Sequence, residues 1–361
     1  MQSKPAYLVL ENGMVFRGES VGYEADAVGE LVFTTAMTGY LETLTDPSFF
    51  QQIVVQTFPL MGDYGVIPSD FESNKTALSA YIVRDLCQEP SNFRSEGALG
   101  VFLNERQIVC LTDIDTRALT KIVREVGVMN AKITHTLPDN LDATLAELKQ
   151  FRIKDAVKNV TCDASSTLTP AEKRYRVALW DFGAKKGIAD QLVKRGCEVI
   201  IMPASSTAEE ILALNPDGIM LSNGPGDPMD NPGIVAEVKK LMEKKLPTFG
   251  ICLGHQLLAI SQGARSEKMK YGHRGANQPA IRLSDKRVFI TSQNHGYALV
   301  ESSLPETARV SFKNGNDGTV EGVEYLNMPA FTVQFHPEAS AGPLDTAFLF
   351  DQFIAMMEEN N

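Results

Sequence analysis

The chain has 361 residues, with 34 Lys and Arg against 45 Asp and Glu, and so a net charge of −11. That length suffices for about two domains with cores of their own, and an acidic chain without a long basic block is a poor partner for nucleic acid, whose binding rests on neutralised phosphates. The five cysteines, Cys87, Cys110, Cys162, Cys197 and Cys252, show no CxxC spacing, which favours a reducing cytoplasm over a disulfide framework or zinc knuckle, and no stretch approaches the ~20 apolar residues of a membrane span.

The first 50 residues read as strands. YLVLE and MVF flank Asn12-Gly13, a pair that supplies the positive φ angles of a tight hairpin. A helix is predicted from Asp115 to Val126, with Asp115 as cap, Ala118, Leu119, Ile122, Val123 and Val126 on one face, and Gly127 past its end. A second is predicted around Leu141 to Phe151. Residues 1–150 are therefore expected to form an N-terminal, β-rich mixed domain. Residues 151–173 lack steady periodicity and finish in a Ser/Thr/Pro cluster, the composition of a linker.

From residue 174 the pattern alternates. RVALWDF, CEVIIMP, DGIMLS and LPTFGI read as strands, separated by helices, one with a capping box at Thr207 and Glu210 and one opening at Asn231-Pro232. Such alternation predicts an α/β fold over residues 174–361, a mostly parallel, doubly wound sheet whose ligands bind at the carboxyl ends of its strands.

Cys252 lies where LPTFGI meets the next helix. The spacing Gly250-x-Cys252-x-Gly254 follows the logic of a nucleophile elbow, in which glycines permit a cramped turn and close packing of helix on strand. A helix N-terminus favours thiolate, and a nearby imidazole can take the proton. The competing reading is a small buried hydrophobe. Among the five histidines, His336 in FTVQFHPEAS is the best base, because a strand delivers it to a loop and Glu338 follows two residues later, placed to hold the imidazole tautomer. His255, in the first turn after the cysteine, is expected to face packing. SNGPGDP, residues 222–228, is a rigid loop able to present backbone N–H groups, so that an oxyanion hole would join its donor to the N–H of Leu253. No HxH or HExxH spacing occurs, so no metal site is expected in this chain. The three motifs together predict acyl transfer through a thioester.

GICLGHQ, SNGPGDP and FHPEAS, in that order, resemble the class I, triad-type glutamine amidotransferases. The resemblance implies a flavodoxin-like sheet and catalysis by Cys252, His336 and Glu338 on the side-chain amide of glutamine. It places substrate contacts at Gly224, Gly226, Leu253, Gln256, Asn294, Gly296 and Tyr297. Further, GELVFTTAMTGYLETLTDPSFFQQ (29–52), DIDTRALTKIVRE (113–125) and KMKYGHRGANQP (268–279) resemble the small subunit of carbamoyl-phosphate synthase. That similarity implies a heterodimer, or a multiple of one, with a large subunit that binds ATP, divalent metal and bicarbonate and receives ammonia through a tunnel, for arginine or pyrimidine synthesis. It implies no cofactor in this chain, and it gives Ser48 a place at the glutamine site. Thr34, Leu41 and Leu60-Met61-Gly62-Asp63 depart from the family pattern, away from the triad. Two alternatives are weighed against it: the amidotransferase of a chorismate-using synthase, disfavoured by the extra N-terminal domain, and an inert regulatory subunit, disfavoured by the intact triad.

Overall fold

The computed structural model describes residues 4–339 and 341–360. The chain divides into two compact units, Met1–Lys154 and Asp155–Asn361.

The first unit carries β1 (Lys4–Leu10), β2 (Val15–Gly22), β3 (Ala27–Thr34), α1 (Tyr40–Thr45), β4 (Gln52–Gln56), β5 (Leu60–Met61), β6 (Ala80–Ile82), β7 (Asp85–Leu86), α2 (Leu99–Glu105), β8 (Val109–Thr112), α3 (Thr116–Val126), β9 (Met129–Thr134) and α4 (Asp142–Gln150). Seven of these strands close a barrel in the order β1-β2-β8-β6-β4-β3-β9. Alternation fills it: Ala6, Leu8 and Leu10, Leu31 and Phe33, Ile53 and Val55, and Ala131 and Ile133 all point into one apolar core, as a period of two requires. The predicted α3 is present, with Asp115 accepting from the Ala118 N–H at 2.9 Å. The β1–β2 hairpin differs from the tight turn predicted. Four residues separate the strands, and only Gly13 is left-handed, at φ +88°, because Asn12 uses its side chain to accept the Met14 N–H and so closes a longer loop.

The second unit carries α5 (Ala156–Val160), β10 (Ser166–Leu168), β11 (Tyr175–Asp181), α6 (Lys186–Lys194), β12 (Cys197–Pro203), α7 (Ala208–Ala213), β13 (Gly218–Leu221), α8 (Pro232–Met242), β14 (Thr248–Ile251), α9 (Leu253–Ser261), β15 (Ser266–Arg282), β16 (Val288–Leu299), β17 (Ala308–Asn314), β18 (Val320–Tyr325), β19 (Ala330–Val333) and α10 (Phe348–Asn360). Its ten-stranded sheet runs β10-β12-β11-β13-β14-β19-β18-β17-β15-β16. The centre, β12-β11-β13-β14-β19, is parallel, and antiparallel strands extend it on both sides. The stretch read from sequence as a linker holds α5 and β10, and β10 pairs with β12; elements this short leave little periodicity to read.

The central strands are buried on both faces, the mark of a doubly wound sheet. Along β11, Ala178 and Trp180 join one core with Ile211 of α7, Val238 of α8 and Leu257 of α9. Val177 and Leu179 join the other with Ile188 and Leu192 of α6 and Phe350 and Phe353 of α10. The result is a mixed α/β chain, β-rich in its first unit and flavodoxin-like in the core of its second.

Candidate active site

Strand β14 stops at Ile251 and α9 starts at Leu253, so the chain turns on one residue. Cys252 makes that turn at φ +52°, ψ −102°, backbone space that L side chains rarely enter and that costs about 1–3 kcal/mol. The flanking glycines serve close approach rather than the turn angle. A Cβ on Gly250 would lie 2.9 Å from Thr332 Cγ2 and 3.0 Å from the Gly254 carbonyl; one on Gly254 would run into the Leu221 carbonyl. The elbow is pinned on both sides, by the Cys252 N–H on Val333 O at 2.8 Å and the Gly254 N–H on Ser222 O at 3.0 Å. Cys252 is therefore the N-cap residue of a nine-residue helix, at its positive end.

Strand β16 is the wall facing it. The Cys252 thiol donates to the Asn294 carbonyl at 3.7 Å, and the His336 N–H donates to the Ser292 carbonyl at 2.9 Å. Two residues along a strand span about 7 Å. The Cys252 side chain and the His336 backbone thus attach to neighbouring points of one strand, although Cys252 and Gln334, two residues before the histidine, are 82 positions apart in the chain.

His336 Nδ1 lies 2.7 Å from Glu338 Oε1, and both side chains are fully buried. A carboxylate accepts, so Nδ1 carries the proton and Nε2 keeps its lone pair, the tautomer a general base needs. Nε2 itself makes no hydrogen bond among the described residues. Gly187, at the start of α6, lets the pair seat: a Cβ there would meet the Glu338 carbonyl at 3.0 Å.

The loop 222–228 packs on the start of α9. Asn223 is fully buried and staples the loop to 183–185, accepting the Lys185 N–H at 3.0 Å and donating to the Gly183 carbonyl at 2.9 Å. A Cβ on Gly224 would run into the Phe182 carbonyl and lie 2.8 Å from Leu253 Cδ2, and Gly226 turns at φ +88°. Gln256 donates to the Tyr297 carbonyl at 2.8 Å, so Gln256, Asn294, Gly296 and Tyr297 gather where α9 faces β16. Ser48 belongs to the first unit, buried in a 3-10 turn at Pro47–Phe49 with its N–H on Asp46 Oδ1 at 2.8 Å.

The other histidines of the second unit do different work. His255 is fully buried, bonds Thr332 Oγ1 at 2.7 Å, and is held neutral by burial, its pKa lowered to about 3. His273, His295 and Glu321 form a buried group whose potential ligand atoms lie within 4.8 Å of one another, a cluster that short-range spacing could not find. Both rings are engaged internally: His273 with Asp317 at 2.9 Å and with Asn314 at 3.3 Å, His295 with the Tyr297 carbonyl at 2.8 Å and with Gln293 at 3.1 Å. Burial opposes charge on His273, but Glu321 and Asp317 together raise its pKa; burial, then His273, lowers that of His295. The segment KMKYGHRGANQP is part of strand β15.

Sequence reading missed Gln334, which donates to Cys252 Sγ at 3.5 Å. The signal was in FTVQFH: Phe331, Val333 and Phe335 enter the apolar core, while Thr332, Gln334 and His336 alternate with them and are all buried. A period of two carrying polar residues into a buried face marks a site.

Against known proteins, residues 178–356 match the family model of class-I glutamine amidotransferases, and residues 8–133 that of the carbamoyl-phosphate synthase small chain, CPSase domain. The carbamoyl phosphate synthase small chain of Clostridium perfringens is 48% identical over 349 residues, 97% of this chain and 98% of that one. Its counterpart from Vibrio vulnificus is 46% identical over 99% of this chain and 100% of its own length. A solved glutamine amidotransferase from Thermotoga maritima covers 52% of this chain and 85% of its own at 18% identity, with a TM-score of 0.38. With 46–48% identity to such relatives over nearly its full length and with both family models matched, the chain belongs to the carbamoyl phosphate synthase small chain family and carries a class I glutamine amidotransferase domain.

Proposed function

We propose that this protein is the glutaminase subunit of a glutamine-hydrolysing carbamoyl phosphate synthase, with Cys252 as nucleophile. The observation that carries the reading is a cysteine forced into a cramped elbow on a helix N-terminus, with its side chain on the same strand β16 that holds the backbone of a buried histidine already oriented by a carboxylate. His336 Nε2 takes the thiol proton, and the thiolate attacks the amide carbon of glutamine. The tetrahedral oxyanion is met by the Leu253 N–H and the loop at Gly224 and Gly226. Collapse breaks the C–N bond as His336 returns the proton to the leaving ammonia. Water, deprotonated by the same imidazole, then cleaves the thioester to glutamate, and Glu338 stabilises the imidazolium at both stages.

Gln256, Asn294, Gly296 and Tyr297 hold the substrate's α-substituents in this scheme, and the family resemblance adds Ser48 to the glutamine contacts. Ammonia passes to a large subunit that binds ATP, divalent metal and bicarbonate and makes carbamoyl phosphate. This chain then needs no cofactor of its own. A cytoplasmic place fits five cysteines without a disulfide, and no described helix is long and apolar enough to cross a membrane.

The test is Cys252→Ser in the complex with the large subunit. Glutamine-dependent carbamoyl phosphate synthesis should vanish while synthesis from free ammonia persists. Retained glutaminase turnover overturns the assignment.

A further inference from the structure

The strand that delivers His336 delivers a second polar group to the sulfur. Ile251 of β14 pairs with Val333 of β19, so the next residues, Cys252 and Gln334, emerge side by side at the carboxyl edge. Gln334 is fully buried and fixed by its own N–H on the Glu321 carbonyl at 2.9 Å. Its side-chain amide touches two groups of the site: it accepts from Gln256 Nε2 at 2.8 Å and donates to Cys252 Sγ at 3.5 Å.

The orientation of that amide follows from its neighbours. The Tyr297 carbonyl can only accept, and it lies 2.8 Å from the Gln256 amide, so the nitrogen of Gln256 must face it. The same nitrogen lies 2.8 Å from Gln334, which must answer with its oxygen. The NH2 of Gln334 is left facing the sulfur. A backbone carbonyl thus dictates, through two amides, that a donor points at the thiol.

We propose that Gln334 is a further catalytic residue: its N–H stabilises the Cys252 thiolate, while its carbonyl sets the position of Gln256 against the same substrate. The inference rests on Cys252 being the nucleophile. In the resting thiol the proton points at the Asn294 carbonyl, an acceptor that repels a sulfur anion. When the proton moves to His336 Nε2, the Gln334 N–H is the neutral donor that stays with the negative sulfur through attack and again when the thioester breaks. An amide cannot give up its proton to the thiolate, so it lowers the energy of the anion without quenching it, which a lysine or a second imidazolium in that place would risk.

The experiment reads the thiol itself. Alkylation of Cys252 by iodoacetamide is followed against pH in the complex, with the modified peptide identified by mass. Gln334→Met keeps length and volume without a donor, and Gln334→Leu serves if the first variant fails to fold. Both variants leave intact the charged and titratable groups on the elements that meet at the sulfur: His336 and Glu338 in the loop after β19, His255 on α9, and His295 and Arg274 on the β15–β16 hairpin. The expected result is a midpoint about one pH unit higher, with alkylation at neutral pH about tenfold slower and the high-pH plateau unchanged; glutaminase kcat falls with it, and KM rises as Gln256 loosens. A merely structural part for Gln334 would change the plateau and leave the midpoint in place, and that outcome overturns the proposal. A parent protein whose Cys252 shows no activated thiol overturns instead the function proposed above.

Discussion

The interior of the barrel and the carboxyl edge of the sheet are both closed to water, and they are built from opposite materials. The barrel is filled by Ala, Val, Leu, Ile, Phe and Met side chains from its strands, so its stability is a matter of volume. The sheet edge buries Ser222, Asn223, His255, Gln256, Gln293, Asn294, Gln334, His336 and Glu338. Each of these costs free energy unless it finds a partner. The edge is consequently held by a chain of directed bonds, in which one group's orientation depends on the next. What the contrast teaches is where the molecule tolerates change: an apolar interior accepts any side chain of the right size, and a polar one accepts only the right donor or acceptor.

His336→Asn is the sharpest way to test the polar side. Asparagine can hold Glu338 but cannot carry a proton between sulfur and ammonia. Glutaminase turnover should fall about 10²–10⁴-fold, the contribution of a positioned acid and base, with the circular dichroism spectrum and large-subunit binding unchanged. An unaltered rate in a coupled glutamate assay would move the base to another group and dissolve the distinction drawn for this edge.

These two regions were not equally legible in the sequence. The elbow, the 222–228 loop and the His336–Glu338 pair announce themselves because each is local: glycines two residues either side of a cysteine, a carboxylate two residues from an imidazole. The Asp115 and Thr207 caps are read for the same reason, and both are present. What stayed hidden depends on strand order. That Gln334 meets Cys252 follows from β19 lying next to β14, with four strands and the helix α9 between them in the chain, and no spacing rule encodes it. Barrel closure is hidden likewise, since β3, β4, β6 and β8 pair in parallel across stretches of irregular chain. The antiparallel extension of the sheet, with its long β15–β16 hairpin, is masked by the many polar residues of those two strands, which break the apolar alternation a strand usually shows.

On the apolar side, Leu8 is completely buried in β1 and belongs to the apolar cluster of the barrel core. Leu8→Ala should destabilise the first unit by about 2–5 kcal/mol, the usual range for a cavity of that size. Leu8→Met, which conserves volume, should cost less than about 1.5 kcal/mol. Amide hydrogen exchange of the paired strands β1, β2 and β9 reads both. Equal losses for the two variants would mean that volume is not what holds the barrel, and the comparison would fail on that side.

The smallest effect is a slope, and it separates the regions by acid. The barrel core around Leu8, Leu31 and Ile133 is a cluster of apolar side chains, whereas burial in the second unit pushes the His255 pKa down to about 3. In the unfolded chain the same imidazole titrates near 6.5 (about the unperturbed value). Between those values the unfolded state binds a proton that the folded state refuses, so stability is complete above pH ~6.5 and drains away as pH falls toward ~3. Each such proton contributes about 1.4 kcal/mol per pH unit. His255→Asn keeps a partner for Thr332 and removes the titration; the loss of stability on acidification should become shallower by about that amount. His295, whose pKa burial also lowers, acts with the same sign in both proteins and cancels from the difference. The single tryptophan, Trp180, is fully buried in this unit, so urea unfolding followed by its emission between pH ~5 and ~6.5 measures the slope where it is predicted. Parallel slopes for the two proteins would show that the fold admits a proton at His255, and that its neutrality is not imposed by the surrounding core.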